Sequence, residues 1–282
     1  MTLKEIKASF KNSLSDLYPS EEIQSLFNIL SEEYLKLSRV EIALNPEKEI
    51  QEEDAEKFEK TLRRLENQEP IQYIIGATEF YSLSFKVNKY TLIPRPETEE
   101  LVEWILDNSE FRIQNSELLD IGTGSGCIAI SLAKNLPNSK VSAIDISEEA
   151  LKIAHQNAEL NKVEIEFFQT DILKAKTLPK QYDVIISNPP YVRELEKKRM
   201  HQNVLKYEPD SALYVSNEDP LLFYKIISRL AKTHLEPKGK LFFEINEYLA
   251  IELIELLKSE GFQNIEVKKD IFGKDRMLKC KL

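Results

Sequence analysis

The sequence predicts an α/β protein: an open, mainly parallel sheet with a terminal antiparallel hairpin, preceded by a small N-terminal helical bundle. Three observations carry this expectation. From Leu118 onward, short apolar runs alternate with amphipathic stretches, the pattern of right-handed βαβ crossovers. Before about Glu69 the apolar residues recur at helical spacing, and there is no glycine at all. Of only 7 glycines in 282 residues, three (Gly122, Gly124 and Gly126) fall within five positions, where average usage would spread about 20 along the chain.

The bundle is assigned to residues 1–75. Ile23, Leu26, Phe27, Leu30 and Tyr34 mark one helical face, and Pro19 and Pro46 punctuate the helices, each followed by acidic residues suited to a positive helix end. Asp54–Leu65 reads as the last long helix, with its charges on a solvated face. After Pro70 the residues turn β-branched and aromatic, and Glu79–Val87 reads as a hairpin within a linker over 76–96. Pro96 then opens a helix Glu97–Asn108, with Glu97, Glu99 and Glu100 at its amino end.

The remaining domain, 97–282, alternates strands (Leu118–Ile121, Val141–Asp145, Ile165–Gln169, Val184–Ser187, Lys240–Ile245) with helices (Cys127–Asn135, Glu148–Leu160, Leu221–His234, Leu249–Glu260). Asn264–Lys268 and Met277–Lys281 are joined through Gly273 with no room for a helix, hence the closing hairpin. A parallel sheet ending this way is the layout of the Rossmann-like methyltransferases.

Composition narrows the class. Hydrophobic residues at 42% and charged residues at 30% exclude disordered, collagen-like and disulfide-rich proteins. The formal charge of −10 argues against sequence-independent capture of a phosphate backbone, so direct nucleic-acid binding is not expected. Residues 1–70 are the more acidic part, with 10 Lys/Arg against 16 Asp/Glu. Cys127 and Cys280 cannot build a disulfide framework, Met1–Lys11 lacks a signal-peptide core, and no run has 18 apolar residues. A cytoplasmic protein without a membrane partner is expected.

Asp120-Ile-Gly-Thr-Gly-Ser-Gly126 follows an apolar strand and precedes a helix, where a backbone turns tightly beneath a ligand. A dinucleotide fingerprint needs G-x-G-x-x-G, but here the third glycine arrives one residue early and Cys127 fills its slot. The turn Gly122, Thr123, Gly124, Ser125, Gly126 resembles the loop that binds S-adenosylmethionine (SAM), with Asp120 facing the methionine portion. Asp145 ends the next strand, 23 residues beyond Gly122, where an acidic side chain meets ribose hydroxyls. Asp171 and Ile172 follow the third strand, suited to the adenine amino group and ring face; a plain turn is the other reading of Asp171. Cys127 reads as a small filler.

Tyr182–Ser187 is an apolar strand running into Asn188-Pro189-Pro190-Tyr191. Neither proline has an N–H and both have fixed φ, so the turn is a rigid row of acceptors. It suits a planar amino group conjugated to a π system: one N–H to the Asn188 side-chain oxygen, one to the Pro189 carbonyl, and the planar face against Tyr191. Rate would come from orienting the nitrogen for in-line methyl transfer and from stabilising the charge that grows on it. No carboxylate base is evident in the motif, so the proton is expected to leave after methyl transfer. Adenine N6, cytosine N4, guanine N2 and a glutamine amide all satisfy this grip.

At this point the chain resembles the release-factor glutamine methyltransferases of the HemK type over nearly its whole length. The matching stretches are Pro70–Gly76, Leu92–Val102, Leu119–Ala129, Asn188–Tyr191 and Tyr207-Glu-Pro209. The resemblance implies SAM as cofactor, bound by Gly122–Gly126, Asp145 and Ile172. It implies that Asn188–Tyr191 hold the glutamine of the Gly-Gly-Gln tip of peptide chain release factors. One departure is Ile245-Asn-Glu-Tyr248, where the family tends to show a glycine and then a glutamine.

Arg95 reads either as a partner-binding or crevice-ordering residue or as an ion-pair partner of Glu97 or Glu99. The run Arg193, Lys197, Lys198, Arg199, His201 could meet an acidic partner face or RNA, or form a solvated helix face. His155 and His234 sit in helical patterns and suggest no metal. The competing functions are methylation of a ribosomal-protein glutamine or of an exocyclic amine in DNA or RNA, and a SAM- or nucleotide-binding module that has lost catalysis.

Overall fold

A computed structural model describes residues 1–107 and 115–282. It divides into two compact units: Met1–Gly76 with His201–Tyr207, and Ala77–Met200 with Glu208–Leu282.

The smaller unit packs helices Leu3–Leu14, Ser20–Leu35, Arg39–Leu44, Glu52–Glu66, Ile71–Ile75 and Gln202–Tyr207. Its centre is an aromatic triad, Phe10, Phe27 and Phe58, with ring centroids 5.9 to 6.0 Å apart. Thr2 with Glu5 and Ser38 with Glu41 form reciprocal capping boxes that satisfy orphan N–H groups at two helix starts. Ile71–Ile75, at the end of the stretch assigned to the bundle, is a single helical turn. Pro70 starts it with a preset φ, and Gly76 ends it at φ 80, a stop that overrides the β preference of the isoleucines between them. The late helix Gln202–Tyr207 is held by the Tyr207 hydroxyl, which donates to the Asn67 carbonyl at 2.9 Å.

In the larger unit the strands are β1 (Ala77–Phe80), β2 (Leu83–Lys86), β3 (Glu117–Ile121), β4 (Lys140–Asp145), β5 (Ile165–Gln169), β6 (Tyr182–Ser187), β7 (Val192–Arg193), β8 (Tyr214–Val215), β9 (Leu235–Glu244), β10 (Gln263–Lys269) and β11 (Asp275–Lys281). Seven form one sheet in the order β10-β11-β9-β6-β3-β4-β5, parallel except for β11, which runs against both neighbours. This is the expected parallel sheet with its antiparallel closing hairpin. β9 starts five residues earlier than expected, and the added pairing of Leu235 with Tyr182 crosses an irregularity in the β6–β9 register.

Alternate residues of the central strands feed two cores. Leu119, Ile121 and Ile185 face helices Leu222–His234 and Ala250–Ser259; Leu118, Val184 and Ile186 face helices Pro96–Leu106 and Cys127–Asn135. Asn108, expected to end the helix opened by Pro96, lies outside the described residues; the helix spans Pro96–Leu106. The β1–β2 hairpin turns at Tyr81 (φ 50) and Ser82 (φ 58), a left-handed pair that usually calls for Asn-Gly. Glu99 holds the turn by accepting from the Tyr81 N–H at 2.8 Å.

Successive strands run outward from β3 through β4 to β5, and the chain then crosses back to lay β6 on the other side of β3. Such a reversal opens a crevice at the carboxyl ends of the two strands. Ile121 and Ser187 are register partners, so Gly122 and Asn188 leave neighbouring strands at the same level.

Candidate active site

A cavity of about 330 Å³ lies at this reversal, lined by the turn Gly122–Ser125, by Asp145, Asp171 and Ile172, and by Asn188, Pro189 and Pro190. The sequence-predicted residues therefore converge, with three exceptions. Asp120 is buried and does not line the cavity. Gly126 starts the helix behind the turn, where a Cβ would come within 2.9 Å of Ile130 Cδ1 and 3.2 Å of Ala154 Cβ, so its role is close packing. Tyr191 borders a smaller cavity alongside, of about 60 Å³, shared with Asn188, Pro189, Arg95 and Glu244.

Asp120 is 1% exposed. Its Oδ2 accepts from the Thr123 hydroxyl at 2.6 Å, while Oδ1 is buried without a partner. Burial pushes its carboxyl up to about 7. Asp145 receives the Gly124 N–H on Oδ2 at 2.8 Å and the Ser147 N–H on Oδ1 at 2.9 Å, tying the turn to the end of β4 with a lone pair left on each oxygen. Burial raises its carboxyl as well. Asp171 is a turn residue in its bonds, to the Leu173 N–H at 3.0 Å and Lys174 Nζ at 2.8 Å, yet it borders the cavity beside Ile172. Desolvation pushes the Cys127 thiol up to about 12, which makes it a filler and not a nucleophile.

Below the Asn188–Tyr191 turn lies Glu244, at the end of β9 and 2% exposed. It accepts from the Thr98 hydroxyl at 2.6 Å and from the Tyr191 hydroxyl at 2.8 Å. Asn188 Nδ2 in turn donates to Thr98 Oγ1 at 3.4 Å. Burial, chiefly, holds the Tyr191 phenol well above its ordinary range, so it stays a donor.

A family model described as "Methyltransferase small domain" matches residues 98–211, and one described as "PrmC N-terminal domain" matches residues 5–76. A release factor glutamine methyltransferase of Flavobacterium psychrophilum is 50% identical over 281 residues, covering 99% of both chains. One from Bacteroides thetaiotaomicron is 45% identical over 278 residues, covering 98% of this chain and 99% of the other. The chain belongs to the release factor glutamine methyltransferase family. In fold, this family member also resembles the crystal structure of a methyltransferase from Pyrococcus furiosus, with a TM-score of 0.52 and 23% identity over 71% of this chain and 89% of that one.

Several functional neighbours in this methyltransferase escaped the sequence reading. Arg95 does not pair with Glu97 or Glu99: its Nη2 meets Glu208 Oε1 at 2.5 Å, and Glu208, buried, also accepts the Ile93 N–H at 3.2 Å. A carboxylate 113 positions away is invisible to local spacing; the signal available was the Tyr207-Glu-Pro209 stretch itself. The basic run is only in part a free face, because Arg193 bonds Glu196 at 3.0 Å and Lys197 sits 3.9 Å from the Tyr214 ring centroid. His201 belongs to the smaller unit. Asn246, within the departure from the family pattern, donates to the Tyr191 carbonyl and to Glu196, both at 3.0 Å. His234 is structural: Nδ1 lies 2.8 Å from the Leu230 carbonyl, and Nε2 accepts the Leu178 N–H at 3.1 Å.

Proposed function

We propose that this protein transfers a methyl group from S-adenosylmethionine to the side-chain nitrogen of the glutamine in the Gly-Gly-Gln motif of a peptide chain release factor. The observation that carries the reading is the meeting of two motifs on one cavity: the glycine turn after β3 and the Asn188-Pro189-Pro190 turn after β6.

The residues fit the cofactor. Asp120 Oδ1 is a buried acceptor without a donor, suited to the methionine ammonium. A Cβ added at Gly122 or Gly124 would meet no protein atom within 4 Å, so the turn leaves room for a ligand against its backbone. We assign the remaining lone pairs of Asp145 to the ribose hydroxyls, Asp171 and Ile172 to the adenine, and Thr123, Ser125 and Gly126 to holding the turn. When bound, SAM supplies an electrophilic methyl group.

The protein's own groups then act on the acceptor. The Asn188 side-chain oxygen and the Pro189 carbonyl receive the two amide N–H bonds, which orients the nitrogen and stabilises positive charge developing on it. Pro190 keeps the turn rigid. Tyr191 flanks the amide slot, with its hydroxyl turned away to Glu244. We assign recognition of the release factor to the helical domain, and since release factors work on ribosomes, we place the reaction in the cytoplasm.

Labelled SAM offered to release factor, to its Gln→Ala form, to ribosomal proteins and to DNA tests this. Label is expected in the glutamine-bearing factor alone. Label in DNA or in ribosomal protein, with none in the factor, would refute it.

A further inference from the structure

Asn188 faces a problem of orientation that shape cannot solve. The two ends of its amide are nearly the same size, yet one accepts and the other donates. With the oxygen toward the acceptor substrate it receives an N–H; turned over, it would set a donor against a donor. Hydrogen bonds behind the residue must therefore decide which end faces forward.

The structure supplies a directional chain. Glu244 presents two oxygens to two hydroxyls, Thr98 Oγ1 at 2.6 Å on Oε2 and Tyr191 at 2.8 Å on Oε1. A carboxylate only accepts, so both hydroxyl protons point at it. Thr98, with its one proton committed, can offer Asn188 only a lone pair. Asn188 must then turn its nitrogen to Thr98, the 3.4 Å contact observed, and its oxygen is left for the substrate. Thr98 and Glu244 are each 2% exposed, so water does not scramble the sequence of donors.

We propose that Glu244 and Thr98 are positioning residues that set the orientation of the Asn188 amide, the carboxylate fixing the Thr98 proton and Thr98 fixing Asn188. The same carboxylate anchors the Tyr191 hydroxyl, so one buried group orders both ends of the acceptor turn. This rests on the assignment of Asn188 to the substrate amide.

Thr98→Val keeps the shape and removes the relay's lone pair. With the full-length enzyme and release factor, kcat is expected to fall about 30- to 100-fold, the loss of one hydrogen bond to a charge-stabilising group. KM for the factor and Kd for SAM should stay within about threefold, since the fold and both binding surfaces persist. Thr98→Ser should restore most of kcat. Glu244→Gln should lose kcat similarly, because its amide nitrogen must face one hydroxyl and turn that proton away. The double variant Thr98→Val/Glu244→Gln should be no worse than the poorer single, as two steps of one route are not additive.

Full kcat in Thr98→Val would overturn the proposal. So would a Thr98→Ser enzyme as poor as the valine form, a rise in KM or Kd without a fall in kcat, or a double variant showing the product of the single losses. If Glu244→Gln fails to fold, the Thr98 pair decides alone. Failure of the glutamine reading is seen separately, in the labelling of wild-type substrates; the same kcat pattern would then be read on whichever amine the wild-type enzyme methylates.

Discussion

At Asp120 solvation and chemistry pull in opposite directions. The folded carboxyl, pushed by burial up to about 7, stands well above its ordinary value. The stability it contributes is therefore full below the unfolded pKa, about 4, and is lost as pH rises through about 7. A cationic ligand needs the ionised form and returns that loss. Two outcomes are expected. SAM affinity, measured calorimetrically between pH 5.5 and 7, should weaken as pH falls, by up to about tenfold per unit. Asp120→Asn should abolish that slope and raise the melting temperature of the ligand-free protein at pH 8. An affinity indifferent to pH over this range would remove Asp120 from the ammonium. The acidic residue before a glycine turn was legible from spacing, because it is fixed by local chain geometry. Thr98 and Glu244 were not, since a relay 146 positions apart exists only once β9 and the helix Pro96–Leu106 have packed.

At the scale of elements, the glycine turn is steadied by the helix Glu148–Asn161. Asn157, fully buried, accepts the Lys86 N–H at 2.7 Å and donates to the Lys86 carbonyl at 3.0 Å and the Ser125 carbonyl at 2.9 Å. Four residues on, Asn161 donates to the Ser84 carbonyl at 2.9 Å. The two amides treat β2 as a sheet would, and one of them also grips the turn. Asn157→Leu should cost about 2–4 kcal/mol in denaturant unfolding, by stranding buried backbone groups. It should also weaken SAM binding several-fold; unchanged affinity would show that the turn holds its shape without this bond. In the sequence, Asn157 looked like one more polar residue on an amphipathic helix. The elements themselves were readable because β3, β4 and β6 are short, mostly apolar runs, whereas the turn Ile71–Ile75 was not singled out because residue preference there opposes the stops at each end.

Across the whole molecule the apolar residues form separate cores. Phe10, Phe27 and Phe58 belong to one wholly within the smaller unit, and the sheet's two faces carry the others. Phe10→Ala should remove about 3–5 kcal/mol from the smaller unit's stability. In scanning calorimetry it should lower a transition that SAM does not shift, and leave SAM affinity intact. A single transition that moves with both the mutation and the ligand would mean that the units melt as one. The division of the chain was only partly visible in the sequence: a glycine-free, strongly acidic opening marked the bundle, but nothing in His201–Tyr207 announced that it belongs there.

That late segment has a consequence for how the protein is made. Asn67 and the early helices of the smaller unit precede the sheet in the chain, yet the helix that supplies the Tyr207 bond to Asn67 is translated only after most of the parallel strands. At ordinary elongation rates the early helices wait about ten seconds for it. A unit whose helices are made early is completed late.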